Sequence, residues 1–315
     1  MTRIDRPSWF RGLLKSWPAL VALIGGCATL IPKDGPPLVP ASNPIQAGPY
    51  LIRTNSKLEA DAPVVRQLLA LDSQVEQTLG LRADIGDHPV EVYILDDRQA
   101  FEHFLTFYYP ELPHRRAFFL ANGNQRVIYT FFGDRLEEDL RHEATHALLH
   151  VAIGDIPLWL DEGLAEYFEN PTDRQGLNPE HMGRIPGDLA EGWTPDLGRL
   201  EALRSVRQMS PRDYRESWAW VHFLLNDDRS NKAALLAYLA DLRTQPEARP
   251  LSSRLEDAGA STLIAHLGQV REAPVAVSVP ILRDPTIRLQ SGPVETPPPV
   301  KRRGFFGRFR DLFGS

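Results

Sequence analysis

The run His142-Glu143-Ala144-Thr145-His146 sets two imidazoles four residues apart with a carboxylate beside the first. On a helix, positions four apart share a face, so both rings can reach one zinc ion, and the carboxylate of Glu143 can act as general base on a water held there. A third ligand is needed, and Trp159-Leu160-Asp161-Glu162-Gly163-Leu164-Ala165-Glu166 supplies it. Glu162 follows His146 with 15 residues between them, across a turn at Gly154-Asp155-Ile156-Pro157 that can fold a second helix back on the first. Two histidines and one carboxylate leave a position for water, the open coordination of a catalytic zinc. His150 continues the four-residue series, but eight residues of helix place it about 12 Å from His142, so it reads as structural. Asp161, turned about 100° from Glu162, reads as a helix-start residue.

These residues need a frame. Apolar spacing predicts strands over 50–53 and 90–95, helices over 62–79 and 98–107, and a hairpin of 116–121 with 126–132 around Asn122-Gly123-Asn124-Gln125, whose Asn and Gly tolerate a tight turn. The second hairpin strand is either a sheet edge, open to an added peptide strand, or an interior strand. Beyond Asp134 the pattern turns helical, over 135–153, 158–168, 197–206, 212–225 and 231–242. The expected fold is α+β, a small N-terminal α/β subdomain with a hairpin, packed on a mainly helical C-terminal half. The site should lie where the halves meet.

An HExxH pattern followed by a helix carrying Trp159-Leu160, Glu162-Gly163 and Ala165 resembles the gluzincin metallopeptidases, most closely a bacterial domain of unknown function in that clan. The resemblance implies a zincin-like fold, with His142, His146 and Glu162 as zinc ligands and Glu143 as base. It also implies that Glu166, four residues after the ligand Glu, orients His142, and that a Tyr or His from a later helix stabilises the oxyanion. Tyr214 on the 212–225 helix is the candidate for that last role, with a packing role as the alternative. The ligand spacing is shorter than in thermolysin-like enzymes, and no G-x-M-E-N segment precedes the metal helix. An endopeptidase, or a peptidase with a narrow target, is therefore expected rather than an aminopeptidase.

The whole chain sets the context. Its 315 residues carry a formal charge of −6, which lacks the basic footprint of a nucleic-acid binder. Cys27 is the only cysteine, so neither an intrachain disulfide nor a cysteine zinc site can form. It follows a basic lead (Arg3, Arg6, Arg11, Lys15), an apolar stretch from Trp17 to Ile24 and two glycines, which resembles a bacterial lipoprotein signal. That reading removes 1–26, lipidates Cys27 and fixes the protein to the cell envelope. Prolines mark a tether over 27–49 and a linker over 270–300, leaving 50–269 as the folded domain. The tail 301–315 interleaves Phe305, Phe306, Phe309 and Phe313 with Arg308 and Arg310, either as a membrane-surface segment or as a solvated coil. The expectation is thus a lipid-anchored zinc peptidase with peptide or protein substrates. The alternative is a non-catalytic lipoprotein that keeps the fold as a binding scaffold.

Overall fold

Burial with a period of two sorts the strand side chains onto the two faces of one sheet. The strands are β1 (Ile45–Ala47), β2 (Tyr50–Thr54), β3 (Val90–Leu95), β4 (Phe118–Asn122), β5 (Gln125–Phe131) and β6 (Arg288–Leu289), in the order β4-β5-β3-β2-β1-β6. β2, β3 and β5 run parallel, while β4 pairs antiparallel with β5 and β1 antiparallel with β2. Val90, Val92, Ile94 and Ile128 point into the larger core. Tyr93, Leu95, Val127, Tyr129 and Phe131 point into a smaller aromatic one. The computed structural model describes residues 37, 39–41, 44–86, 88–110, 112, 115–171, 175–226, 230–245, 248–255, 259–272 and 288–289. Cys27, the segment 1–26 and the tail 301–315 lie outside the described residues.

Local chemistry sets the helix ends. α1 (Pro63–Leu79) starts on a proline whose missing N–H costs nothing at a first turn, and it stops at Gly80, whose φ of 66° suits glycine. α2 (Arg98–Tyr108) starts where the Asp97 side chain accepts from the Ala100 N–H. α2 covers the aromatic face with Phe101 and Phe104, whereas α1 and α3 (Leu136–Ala152) cover the other. α3 has Glu137, Glu138 and Asp139 in its first turn, where carboxylates favour the positive end of the helix dipole.

The C-terminal half is α4 (Leu158–Phe168), α5 (Pro179–Ala190), α6 (Leu197–Glu201), α7 (Pro211–Asn226), α8 (Ser230–Leu242) and α9 (Ala260–Glu272). The α+β class therefore holds, with α1 and α2 interleaved among the strands and a mainly helical C-terminal half. Two details differ from expectation, and a third decides between the edge and interior readings of the second hairpin strand. The sheet begins at β1, inside the stretch read as tether. The expected helix over 197–206 stops at Glu201, and a 3₁₀ turn follows at Val206–Gln208 behind a Ser205/Gln208 capping box. β5 is interior, and the strand at that end of the sheet is β4. Among the described residues, no helix is long and apolar enough to cross a membrane.

Candidate metal centre

α3 follows β5 directly and lies against β4 and β5, which turns His142 and His146 toward the helical half. α4 returns across α3 after the 153–157 turn and brings Glu162 to the same spot. His142 Nε2 is 3.2 Å from His146 Nε2. Glu162 Oε2 stands 3.7 Å from the first and 3.8 Å from the second. A tetrahedral zinc with bonds of about 2.0–2.1 Å needs ligand atoms about 3.3–3.4 Å apart, so this triangle fits zinc in size and donor type. All three side chains are largely buried. Glu143 is buried beside them and lines the same cleft, as does Tyr214.

The outer ring nitrogens are held as well. His142 Nδ1 makes a 3.0 Å hydrogen bond with Glu169 Oε2, directly after α4. The partner expected for His142 was Glu166; that carboxylate instead takes the ring of His181 on α5, 2.9 Å away. Asn178 joins the two acids, donating to Glu169 Oε1 at 2.8 Å and to Glu166 Oε2 at 3.3 Å. Its own Oδ1 caps α5 by accepting from the Glu180 and His181 N–H groups. Asp161 is not a free helix-start residue, because its Oδ1 stands 3.0 Å from His146 Nδ1, a charge contact off the line of a straight hydrogen bond. His150 takes the structural place expected of it, 3.6 Å from Asp161 Oδ2 and with its ring against Phe119 of β4.

Charge follows this geometry. Burial disfavours an imidazolium at His142, but the Glu162 and Glu169 carboxylates outweigh it and raise its pKa well above the usual histidine value. Burial likewise opposes ionisation of Asp161, yet His146 and His150 hold its carboxyl well below the ordinary range. Burial, with Glu162 nearby, pushes the Tyr214 phenol up, so it keeps its proton at neutral pH and can donate. Carboxylates gathered in so buried a place make strong bases of the imidazoles and favour a cation between them.

Residues 138–247 match the model of a family described as a protein of unknown function, DUF1570. The match starts inside α3 and runs past α8, so it takes in His142, Glu143, His146, Glu162, Glu166, Glu169 and Tyr214, whereas β1 to β5 precede it. No curated protein matches the chain.

Two residues outside the donor set hold this arrangement together. Gly163 touches α7 so closely that an added Cβ would stand 2.6 Å from the Ser217 carbonyl oxygen. The residue after Glu162 is thus a point of close approach between α4 and α7. Arg141, before His142, is 1% exposed. Its Nε donates to the Phe168 and Glu169 carbonyls at 2.9 and 3.2 Å, and its Nη2 donates to the Asn170 carbonyl at 2.9 Å and to Gln74 Oε1 on α1 at 2.6 Å. Sequence reading missed both. The glycine inside a well-patterned helix was the available signal for the first.

Proposed function

We propose that this chain is a zinc-dependent endopeptidase of gluzincin type, held at the bacterial cell envelope through a lipid on Cys27. The observation that carries the catalytic part is the buried triangle of His142 Nε2, His146 Nε2 and Glu162 Oε2 with Glu143 in the same cleft. Bound zinc would supply a Lewis acid that polarises a peptide carbonyl and eases deprotonation of water. Glu143 takes the proton of the attacking water as the new C–O bond forms, and it passes that proton to the amine nitrogen as the C–N bond breaks. Tyr214, protonated, donates to the carbonyl oxygen as negative charge builds there. Glu169 and Asp161 fix the ring orientation of His142 and His146. β4 ends one side of the sheet next to the cleft, through Arg116 and Ala117, and it offers its outer backbone groups to an extended peptide.

The purified protein should retain about one zinc per chain. Glu162→Gln should weaken zinc retention by well over 100-fold, since it removes a charged ligand, while Glu169→Gln should cost about 10–100-fold through the orientation of His142. Competition with a chromogenic chelator gives both values. Absence of zinc in the wild type, or equal losses in the two variants, would remove the ligand assignment.

The anchoring part is motivated by the basic lead, short apolar stretch and two glycines before the only thiol. Mass spectrometry of protein from a membrane fraction should find an N-terminus at Cys27 carrying acyl mass, and Cys27→Ser should block both lipidation and removal of residues 1–26. An intact Met1, or an unmodified thiol, refutes the anchor and leaves the catalytic part untouched.

A further inference from the structure

We infer that the catalytic cleft opens into a second, larger cleft that receives the substrate chain on one side of the scissile bond, so that the protein acts on extended polypeptides. The inference rests on the peptidase reading. The catalytic cleft has a volume of about 290 Å³ and the second one about 580 Å³. Arg135, Glu138 and Glu169 line both, so the two clefts meet along these side chains. Pockets that bury most of a ligand run from about 300 to 1,000 Å³, which puts the catalytic cleft at the small end and the second well inside the range. A peptide of more than a few residues cannot be housed by the first alone.

The walls of the second cleft indicate what it takes. The start of α1 contributes Ala62 and Val64, the β5–α3 connection contributes Phe132, and α3 contributes Leu136, which together make an apolar floor. Glu137 stands exposed at the rim. The shared sill is the Arg135–Glu138 ion pair, whose guanidinium side chain is 44% exposed and can donate to a carbonyl of a chain passing over it. An apolar side chain suits the floor and a basic one suits the rim. Neither feature would serve a dipeptide, whose whole length fits at the metal ligands.

The test uses the full zinc-loaded chain and a fluorogenic peptide lengthened one residue at a time, first on one side of the scissile bond and then on the other. Adding two to four residues on one side should raise kcat/KM about tenfold or more, most when they are an apolar residue followed by a basic one. Ala62→Trp, which fills the floor, should cancel about tenfold of that gain, and the exposed change Glu137→Gln should remove the basic preference. In Glu143→Gln protein, the long peptide with a photoreactive group at its distal end should crosslink to residues 58–64 or 132–137. A flat length series on both sides, or a gain untouched by both substitutions with crosslinks elsewhere, overturns the inference and leaves the peptidase reading standing. Wild-type protein that cleaves no peptide of any length takes down both.

Discussion

Glu143→Gln is expected to lower kcat for peptide hydrolysis by about 10²–10⁴-fold, the usual contribution of a positioned general base. Zinc content and unfolding midpoint should stay at wild-type values. Glu143 contributes none of the three proposed ligand atoms, and the substitution keeps its shape in a buried place. The loss should fall on kcat and on kcat/KM equally, because proton transfer occurs only in the transition state. Steady-state kinetics on any substrate found by a peptide library, with metal analysis of the same preparation, reads this out. A variant that retains zinc and cleaves at the wild-type rate rules out Glu143 as the base. If neither protein cleaves any member of a broad library, the scaffold alternative replaces the peptidase.

The second large effect is expected at a residue with no side chain. Gly163→Val forces branched carbon into a contact where even a Cβ would lie 2.6 Å from the Ser217 oxygen and 2.9 Å from a Val221 methyl. Either α4 or α7 must move. Overpacking of this kind costs about 1–3 kcal/mol, and the shift also displaces the neighbouring Glu162, the proposed third ligand. We expect a drop in unfolding free energy of that size in a denaturant titration, together with zinc affinity weakened by at least about tenfold. Gly183→Ala, on α5 where an added Cβ meets nothing within 4 Å, serves as the opposite case. It should be neutral or stabilising by up to about 1 kcal/mol, because alanine favours a helix over glycine. If the two substitutions have the same effect, close packing at Gly163 does not govern the site.

The contrast between these glycines also explains what was legible in the chain. α3 and α4 could be bounded to within a residue or two, because each repeats apolar residues at helical spacing and Pro157 separates them. α5 could not, since Gly183, Pro186 and Gly187 lie inside it and its start depends on the Asn178 cap. β1 was hidden by Pro44 and Pro49 on either side, and only its pairing with β2 reveals it. Within the site, the four-residue spacing of His142 and His146 is a property of α3 alone and can be read directly. The partners of the outer ring nitrogens are set by how α4 crosses α3, which no single-helix angle contains. Asp161, 100° away from Glu162 around the axis, therefore reaches a different nitrogen of His146 from the one Glu162 faces. Glu169 is seven positions after Glu162, so it shares that helical face. The spacing Glu162, Glu166, Glu169 was a usable signal for a row of acids, though not for which of them meets His142.

The guanidinium of Arg141 ties the end of α4 to α1 through the Phe168, Glu169 and Asn170 carbonyls and Gln74. In a small zinc finger the ion itself gathers the chain, so binding energy is consumed in ordering it. Here α1, α3 and α4 are locked by a side chain from within the core, so the entropy of bringing His142, His146 and Glu162 together is already lost before any ion arrives. Zinc bound as proposed would then express its binding energy as affinity, and its loss would empty a standing site without unravelling the domain that carries it.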